Sequence, residues 1–219
     1  MNRRPAFWHQ GGYCHNSSIH RLRRARASRR PPALGDTNLR KRPGNCVGGK
    51  YVPGQEGPVY QGGKWIEITY GRPIKRGRDV FGGTGTNYGK IANPDAPVWR
   101  AGANVSTQLK TEVPLVINGK TVAPGTYTMF IDLKPNNWTL ILSSWEAQTR
   151  YDPNNKAQLW GAYGYTPDKD VVRAPMTLGT LPMSVDELTW NFTDMTDTGG
   201  KLTVMWDKTA ASVPFRVGS

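Results

Sequence analysis

From about residue 64 to the end of the chain, apolar and polar residues alternate with a period of two in several short segments. In the first segment, Ile66, Ile68 and Tyr70 share one face. The same alternation recurs in segments 126–132, 138–143, 187–193, 202–207 and 213–217. Because successive side chains of a β-strand point to opposite faces, this pattern predicts strands with one buried and one solvent-facing side.

Residues that favour turns separate these segments. Asn118-Gly119 is the strongest signal, because both residues tolerate the positive φ angles of a type I′ hairpin. Pro124-Gly125 and Gly199-Gly200 are weaker signals of the same kind. Many short strands joined by tight turns predict an all-β fold, either an antiparallel β-sandwich or a flattened barrel.

Charge divides the chain into two parts. Residues 1–50 hold 12 of the 29 Lys and Arg residues and a single acid, Asp36, whereas residues 51–219 hold 17 basic and 15 acidic residues. Like charges at the density of the first part repel, and few apolar residues there can offset the loss of chain entropy. We therefore predict a disordered basic N-terminal tail over 1–50 and a single β-sandwich domain over 51–219.

The tail has several possible uses, which the sequence leaves open. A basic arm would bind nucleic acid or an anionic membrane by neutralising phosphates. An Arg-rich, acid-poor leader is also typical of an organellar transit peptide, and Arg3-Arg4 is a fragment of a twin-arginine signal. A translation start assigned too far upstream would also explain the Arg- and Pro-rich sequence of residues 1–50. No signal peptide is recognisable in these residues.

The positions of histidine and cysteine exclude several chemistries from the domain. All three histidines and both cysteines, Cys14 and Cys46, precede residue 50, which excludes Ser-His-Asp and Cys-His catalysis and His-ligated zinc from 51–219. The glycine-rich segment 82–90 lacks the spacing of a phosphate loop, and the acid clusters 168–170 and 194–197 lack that of a calcium loop. The sequence predicts no metal, no cofactor and no membrane span.

Three arginines lie beside glycine or proline, in turns rather than within strands. They are Arg72, Arg78 and Arg100. A guanidinium binds a carboxylate or phosphate through two parallel hydrogen bonds, and neighbouring glycines let a ligand approach the backbone. The alternative is that these arginines pair with Asp79, Asp95 or Glu187 and hold loops to the rim of the domain.

A second candidate feature is the aromatic segment 160–165. Small residues separate Trp160, Tyr163 and Tyr165, which leaves ring faces open to stack on a sugar or another flat ligand. Ordinary packing of these rings in the core is the alternative.

Two strings, Tyr70-Gly71-Arg72-Pro73 and Trp99-Arg100-Ala101-Gly102-Ala103-Asn104, carry a resemblance that extends over roughly residues 60–217. With Trp160-Gly161-Ala162-Tyr163, they are similar to the bacterial family catalogued as domain of unknown function 2911. The resemblance implies β-rich proteins that are exported or lipid-anchored, at the periplasm or cell surface, with no assigned activity. The chain departs from the family in lacking its usual leader and in an insertion-like segment over 91–97.

Together these features predict a non-catalytic binding or accessory module. Its cationic, aromatic-edged pocket would bind a small anionic or carbohydrate-like ligand. The residues predicted to bind it are Arg72, Arg78, Trp99, Arg100, Asn104, Trp160 and Tyr163. One alternative is a glycosidase-like hydrolase, for which two carboxylates suffice and Glu67, Glu112, Glu146 and Glu187 are candidates. The other alternative is nucleic-acid binding through residues 1–50.

Overall fold

The computed structural model describes residues 40–41, 44–47, 50–53, 59–83 and 85–218. The prediction of a disordered tail, and the uses suggested for that tail, concern mainly residues 1–39, which lie outside the described residues. So does Cys14.

Fifteen strands and two short 3₁₀ helices, with no α-helix, make up the regular structure of the described residues. In chain order the strands are β1 (Arg40–Lys41), β2 (Gly44–Val47), β3 (Lys50–Val52), β4 (Val59–Gln61), β5 (Lys64–Gly71), β6 (Thr107–Thr111), β7 (Leu115–Ile117), β8 (Lys120–Val122), β9 (Gly125–Asp132), β10 (Thr139–Ser143), β11 (Glu146–Ala147), β12 (Gln158–Leu159), β13 (Asp170–Pro175), β14 (Thr177–Thr196) and β15 (Gly199–Val217). The 3₁₀ helices span Gly85–Asn87 and Pro167–Lys169.

Two antiparallel sheets form the body of the protein. The larger sheet runs β1-β5-β6-β9-β10-β13, with β2 also paired to β5. The smaller sheet runs β14-β15-β7-β8. Strands β3 and β4 form a separate antiparallel pair, and β11 and β12 a short parallel one. The two main sheets do not close into a barrel, so the predicted antiparallel β-sandwich is confirmed.

The main core lies between these two sheets. Ile66, Ile68 and Tyr70 of β5 are fully buried, as their shared face predicted, and they belong to one cluster with Trp190 of β14 and Trp206 of β15. Burying each such side chain stabilises the fold by about 1.5–3 kcal/mol. The predicted hairpin at Asn118-Gly119 is also present, since both residues have positive φ and Ile117 pairs with Lys120 across them.

The outer face of the larger sheet is not solvent-facing, contrary to the simple alternation. Phe130 and Ile141 point away from the main core, yet both are fully buried in a second cluster with Leu159 and Tyr165. The chain between β10 and β13 covers this face, and Thr128 on β9 donates a hydrogen bond to the carbonyl of Trp145 in that cover. The prediction of a solvent-facing side was wrong here, because the irregular segment between β10 and β13 packs on this face. A pattern with a period of two does not reveal such a segment.

The last two strands are longer than the alternation predicted. Segments 202–207 and 213–217 join into one strand, β15, in which Asp207 takes a left-handed conformation with φ of 53°. The pairing with β14 passes from Val185–Asp207 to Thr180–Thr209, so residues 181–184 bulge out of the ladder. Met183 in this bulge is 72% exposed.

Backbone pairing also begins earlier than residue 51. Strands β1 and β2 pair with β5, with Arg40 opposite Gly71 and Cys46 opposite Trp65. These two segments precede the boundary that the charge distribution suggested, because strand pairing depends on backbone hydrogen bonds and not on net charge.

Candidate functional site

The two strings that carried the family resemblance contact each other at one end of the sandwich. The amide of Ala103 donates to the carbonyl of Gly71 over 3.1 Å. A Cβ at Gly71 would overlap the carbonyl of Ala103, so only glycine fits this crossing. Ala101, in a left-handed conformation, presents a carbonyl that accepts from the indole of Trp190 over 3.0 Å. The strings therefore join the loop after β5, the loop before β6 and β14.

The same loop before β6 holds the aromatic segment in place. Ser106 donates to the carbonyl of Gly161 over 2.6 Å. Gly161 has φ of 64° and is followed by a second left-handed glycine, Gly164, with φ of 78°. We call residues 160–164 the Gly161 turn. Its two left-handed glycines reverse the chain twice, and this conformation leaves Tyr163 exposed while Ala162 packs inward.

Arg100 lies against the Gly161 turn. Its Nη1 would be 2.6 Å from a Cβ added to Gly161, and the carbonyl oxygen of Asn104 would be 3.3 Å away. Arg100 and the main chain of Asn104 therefore border the turn that carries Trp160 and Tyr163. Arg100 is half-buried, and no acceptor or acid among the described residues bonds to its guanidinium; its Nε is buried without a partner.

A cleft of about 620 Å³ opens on one side of the Gly161 turn. Three aromatic side chains line it: Tyr151, Trp160 and Tyr163. Tyr151 is 59% exposed and its ring centroid lies 5.7 Å from that of Trp160, with the two planes inclined at 56°. We call this the aromatic cleft. A volume of a few hundred Å³ with aromatic walls is typical of small-ligand sites.

Gln148 builds the opposite wall of the aromatic cleft. This buried side chain donates from Nε2 to the carbonyls of Asp152, Asn155 and Gln158, over 2.9–3.1 Å, and accepts from the amide of Asp152 over 2.9 Å. The side-chain amide of Gln148 therefore holds the loop between β11 and β12 in place next to their short parallel pairing. Lys156 also lines the cleft and forms no ion pair with the described residues.

A buried tyrosine fixes the far end of the aromatic segment. Tyr165 donates to Asp170 over 2.7 Å, and Arg173 bonds to both groups. Burial and the neighbouring Asp170 carboxylate raise the pKa of Tyr165 well above its ordinary value, so the phenol stays protonated and keeps its donor role. This network anchors the segment to β13.

Arg72 and Arg78 lie elsewhere, in a loop that follows β5; we call residues 72–78 the arginine loop. Arg72 forms an ion pair with Glu187, and Arg78 donates from Nε to the carbonyl of Lys75 and from Nη2 to that of Ile74, each over 2.9 Å. A separate pocket of about 350 Å³, lined by Pro73, Ile74, Arg76 and Arg78, shares no residue with the aromatic cleft. The seven predicted residues therefore do not converge on one pocket.

Trp99 faces the core rather than a ligand. Its side chain is 1% exposed and stacks on Trp206, with centroids 6.1 Å apart and planes inclined at 10°. Phe81 and Trp138 pack edge-on against the same ring. Trp99 and Ala101 are buried in the main core, whereas Arg100 between them is only half-buried, so Trp99 anchors this string to the core.

The four glutamates considered for hydrolysis are spread over the molecule. Glu187 pairs with Arg72, Glu146 accepts from Gln158 over 2.9 Å, and Glu112 accepts the amide of Trp65 over 3.0 Å. None of the four lines the aromatic cleft. Within the part of the chain that the structure describes, no group of three or more His, Cys, Asp or Glu is placed to hold a metal ion.

Sequence reasoning missed Tyr151 and Gln148. Neither residue lies in a segment of alternating apolar and polar residues, and neither lies in the strings that resemble the family. The available signal was an aromatic residue directly before the turn-forming run Asp152-Pro153-Asn154-Asn155, which marks an exposed loop able to display a ring.

Comparison with known proteins gives one match. A family model described as "Protein of unknown function (DUF2911)" matches residues 53–215, most of the chain. No curated protein and no solved structure matches it. Among the described residues, no helix has the length and apolarity needed to cross a membrane.

Proposed function

The chain belongs to the DUF2911 family of proteins of unknown function, and from this premise we propose that it is a non-catalytic binding module whose aromatic cleft holds a sugar-like ligand. The observation that carries the proposal is the cleft itself, with Tyr151, Trp160 and Tyr163 on its walls. An apolar sugar face stacks on an aromatic ring, and the rings of Tyr151 and Trp160, inclined at 56°, suit a puckered ligand better than a flat one.

The rigidity of the walls supports binding. Gln148 holds one wall through four hydrogen bonds, and Ser106 holds the Gly161 turn through its carbonyl. A cleft that is already ordered loses little conformational entropy when a ligand enters, which raises affinity. Exported location, implied by the family resemblance, would place such a module among extracellular or periplasmic sugars and remains part of the proposal.

Binding, rather than hydrolysis, is favoured by the placement of the carboxylates. Asp152 is the acid that lines the cleft, and its Oδ1 accepts the amide of Asn154 over 2.9 Å. Glycoside hydrolysis in its common form needs two carboxyl groups on either side of the scissile bond. A single acid engaged in a loop turn does not meet that need.

Saturation-transfer NMR with a panel of neutral hexosides tests the proposal, since this method detects millimolar binding. We expect signal transfer to the hexoside protons in the wild-type protein and its loss in Trp160→Ala and Tyr151→Ala. Met183→Ala is the matched control, because Met183 is a large exposed apolar side chain that does not line the cleft. Equal transfer in wild type, Trp160→Ala and Tyr151→Ala would reject the cleft as the site.

A further inference from the structure

Two arginines line the pocket beside the arginine loop. Pro73, Ile74, Arg76 and Arg78 enclose about 350 Å³, and we call this space the arginine pocket. These lining residues include no acid. Arg76 and Arg78 are both exposed, and neither forms an ion pair with the residues that the structure describes. The pocket therefore has two positively charged residues and no negative charge of its own.

The other two cations of the arginine loop are used within the fold. Arg72 and Lys75 each form an ion pair with an acid of the smaller sheet. A third acid, Asp186, accepts a hydrogen bond from the main-chain amide of Arg76 over 3.2 Å, but forms no ion pair with the described residues. The loop thus contains two cations that bind acids of the protein and two, Arg76 and Arg78, that do not.

The guanidinium of Arg78 is fixed in orientation. Its Nε donates to the carbonyl of Lys75 and its Nη2 to that of Ile74, each over 2.9 Å. Since Ile74 lines the pocket, these bonds hold the guanidinium next to the pocket wall. A guanidinium is planar, so two bound nitrogens also fix the direction of the third, Nη1, which bonds to none of the described residues. A donor held in this way loses little conformational entropy when an anion binds.

Arg76 has a backbone conformation that is unfavourable for arginine. Its φ of 52° lies in the left-handed region, which glycine and asparagine adopt more readily. Its guanidinium forms no hydrogen bond or ion pair with the described residues that would offset this cost. Residues held in such conformations are concentrated at sites that bind ligands. The position therefore carries an arginine where a smaller residue would be more stable, which is expected if the arginine binds something outside the fold.

We propose that the arginine pocket binds the phosphate group of a small phosphate monoester, held by the guanidinium groups of Arg76 and Arg78. Such a phosphate has a charge of about −1.5 to −2 at neutral pH and three acceptor oxygens, which suits two guanidinium groups better than a singly charged carboxylate does. Pro73 and Ile74 supply apolar surface for the carbon chain of the ester. The arginine pocket shares no residue with the aromatic cleft, so this inference does not depend on the proposed function.

A pair of probes with the same carbon chain tests the inference. Butyl phosphate and pentanoate each join a butyl group to an anion, and they are titrated into the ¹⁵N-labelled full chain at constant ionic strength and followed by NMR. Because residues 1–50 hold 12 further Lys and Arg residues, binding is measured from the amide shifts of residues 74–78. For the wild type we expect butyl phosphate to bind about tenfold more tightly than pentanoate.

Three variants identify the residues that bind the phosphate. Arg76→Asn removes a guanidinium and suits the left-handed backbone, so the protein should stay folded and bind butyl phosphate about tenfold more weakly. Arg78→Gln is expected to weaken binding by a similar factor. Arg216→Gln is the matched control and should leave the affinity unchanged, because Arg216 is an exposed arginine of β15 that does not line the pocket. Melting temperatures of the unliganded variants check that each is folded.

Four results would overturn the inference. They are the absence of butyl phosphate shifts at residues 74–78, equal affinity for butyl phosphate and pentanoate, unchanged affinity in folded Arg76→Asn or Arg78→Gln, and an equal loss of affinity in Arg216→Gln. Tighter binding of inorganic phosphate than of butyl phosphate would reject the ester and assign the pocket to the free anion. None of these results bears on sugar binding in the aromatic cleft, which the hexoside experiment tests separately.

Discussion

The arginine loop and the loop before β6 that contains Arg100 come from similar sequence but have different chemical outcomes. Both combine arginine with glycine outside the strands. In the arginine loop, Arg72 pairs with Glu187 and Arg78 donates to two carbonyls of its own loop. At the Gly161 turn, Arg100 bonds to no acceptor among the described residues. The role of an arginine therefore depends on which acceptors the fold places around it.

The arginine loop is also tied to the smaller sheet. The amide of Lys75 donates to the carbonyl of Asp186 over 2.7 Å, and the Lys75 ammonium pairs with Asp207 and donates to Ser184. These contacts join the loop after β5 to β14 and β15 across the open edge of the sandwich. Arg72 and Lys75 therefore help to hold the two sheets together, whereas Arg100 makes no such contact with the described residues.

The largest expected effect is at the crossing that supports both regions. Gly71→Ala places a methyl group onto the carbonyl of Ala103, and we expect a loss of about 3 kcal/mol in the free energy of unfolding, measured by urea denaturation. Gly179→Ala is the control, since a Cβ there meets nothing within 4 Å, and it should change stability by no more than about 0.5 kcal/mol. If the two substitutions change the free energy of unfolding equally, the chain around Gly71 and Ala103 can move apart enough to accept a methyl group.

Gly161→Ala tests the contact with Arg100. Alanine in a left-handed conformation costs about 1–2 kcal/mol, and the added methyl also displaces the guanidinium. Gly164→Ala has a similar φ but only Leu159 within reach, at 3.7 Å, so it should show the backbone cost alone. In an Arg100→Ala background the difference between the two glycines should shrink to the part that comes from the Asn104 carbonyl oxygen, which is 3.3 Å from the added Cβ. If the difference does not shrink, the arginine is not the neighbour that matters.

Removing each arginine compares the two regions directly. Arg72→Ala breaks an ion pair, which on a partly exposed surface stabilises by up to about 1 kcal/mol, and it leaves Glu187 unpaired. Arg100→Ala breaks no hydrogen bond or ion pair with the described residues, so it should change the melting temperature less than Arg72→Ala does. Differential scanning fluorimetry measures both. If the Arg100→Ala protein unfolds, Arg100 is needed for the fold, and Arg72 and Arg100 do not differ in their structural role.

The pH dependence of stability tests the ion pair between Lys75 of the arginine loop and Asp207 of β15. Hydrogen bonds from Lys75 and Ser184 lower the pKa of Asp207 below its ordinary value. A carboxyl with a lowered folded-state pKa stabilises the protein above its unfolded pKa, about 3.9, and this stability is lost as pH falls through the lower folded value. Asp207→Asn, which tolerates the same left-handed backbone, should therefore flatten the acid side of a plot of urea midpoint against pH. If the urea midpoint of Asp207→Asn falls at acid pH as steeply as that of the wild type, the ion pair between Lys75 and Asp207 does not stabilise the fold.

The smallest effect is expected at the tip of the arginine loop. Arg76 and Gly77 have φ of 52° and 73°, and the amide of Arg78 donates to the carbonyl of Lys75 over 3.2 Å, as in a type I′ turn. Asparagine is favoured over arginine at such a position, so Arg76→Asn should stabilise the protein by about 0.5 kcal/mol. Arg76→Ala, which keeps the unfavourable φ, should not. A loss of stability in Arg76→Asn would show that the side chain of Arg76 has a structural partner.

Local patterns predicted much of the sandwich but not the position of the site. The Asn118-Gly119 hairpin and the buried face of β5 depend on nearest-neighbour geometry, which a sequence displays openly. The burial of Phe130 and Ile141 depends on a covering segment that pairs with itself through Gln148 rather than through a repeating pattern. Likewise, the positions of Arg72 and Arg100 beside glycine or proline suggested a single pocket. In the structure Arg72 pairs with Glu187, whereas Arg100 lies against Gly161.

Four properties could be read from residue types alone. They are the all-β class, the turn positions, membership of a family with Gly- and Arg-containing strings, and the absence of histidine and cysteine after residue 50. These properties follow from residue types and from backbone preferences over a few positions. The tertiary structure decided which arginine has an acid beside it, which tryptophan is buried, and where Tyr151 and Trp160 meet. Those outcomes require contacts between residues far apart in the chain, where charge pairing and packing are settled by distances that no local pattern encodes.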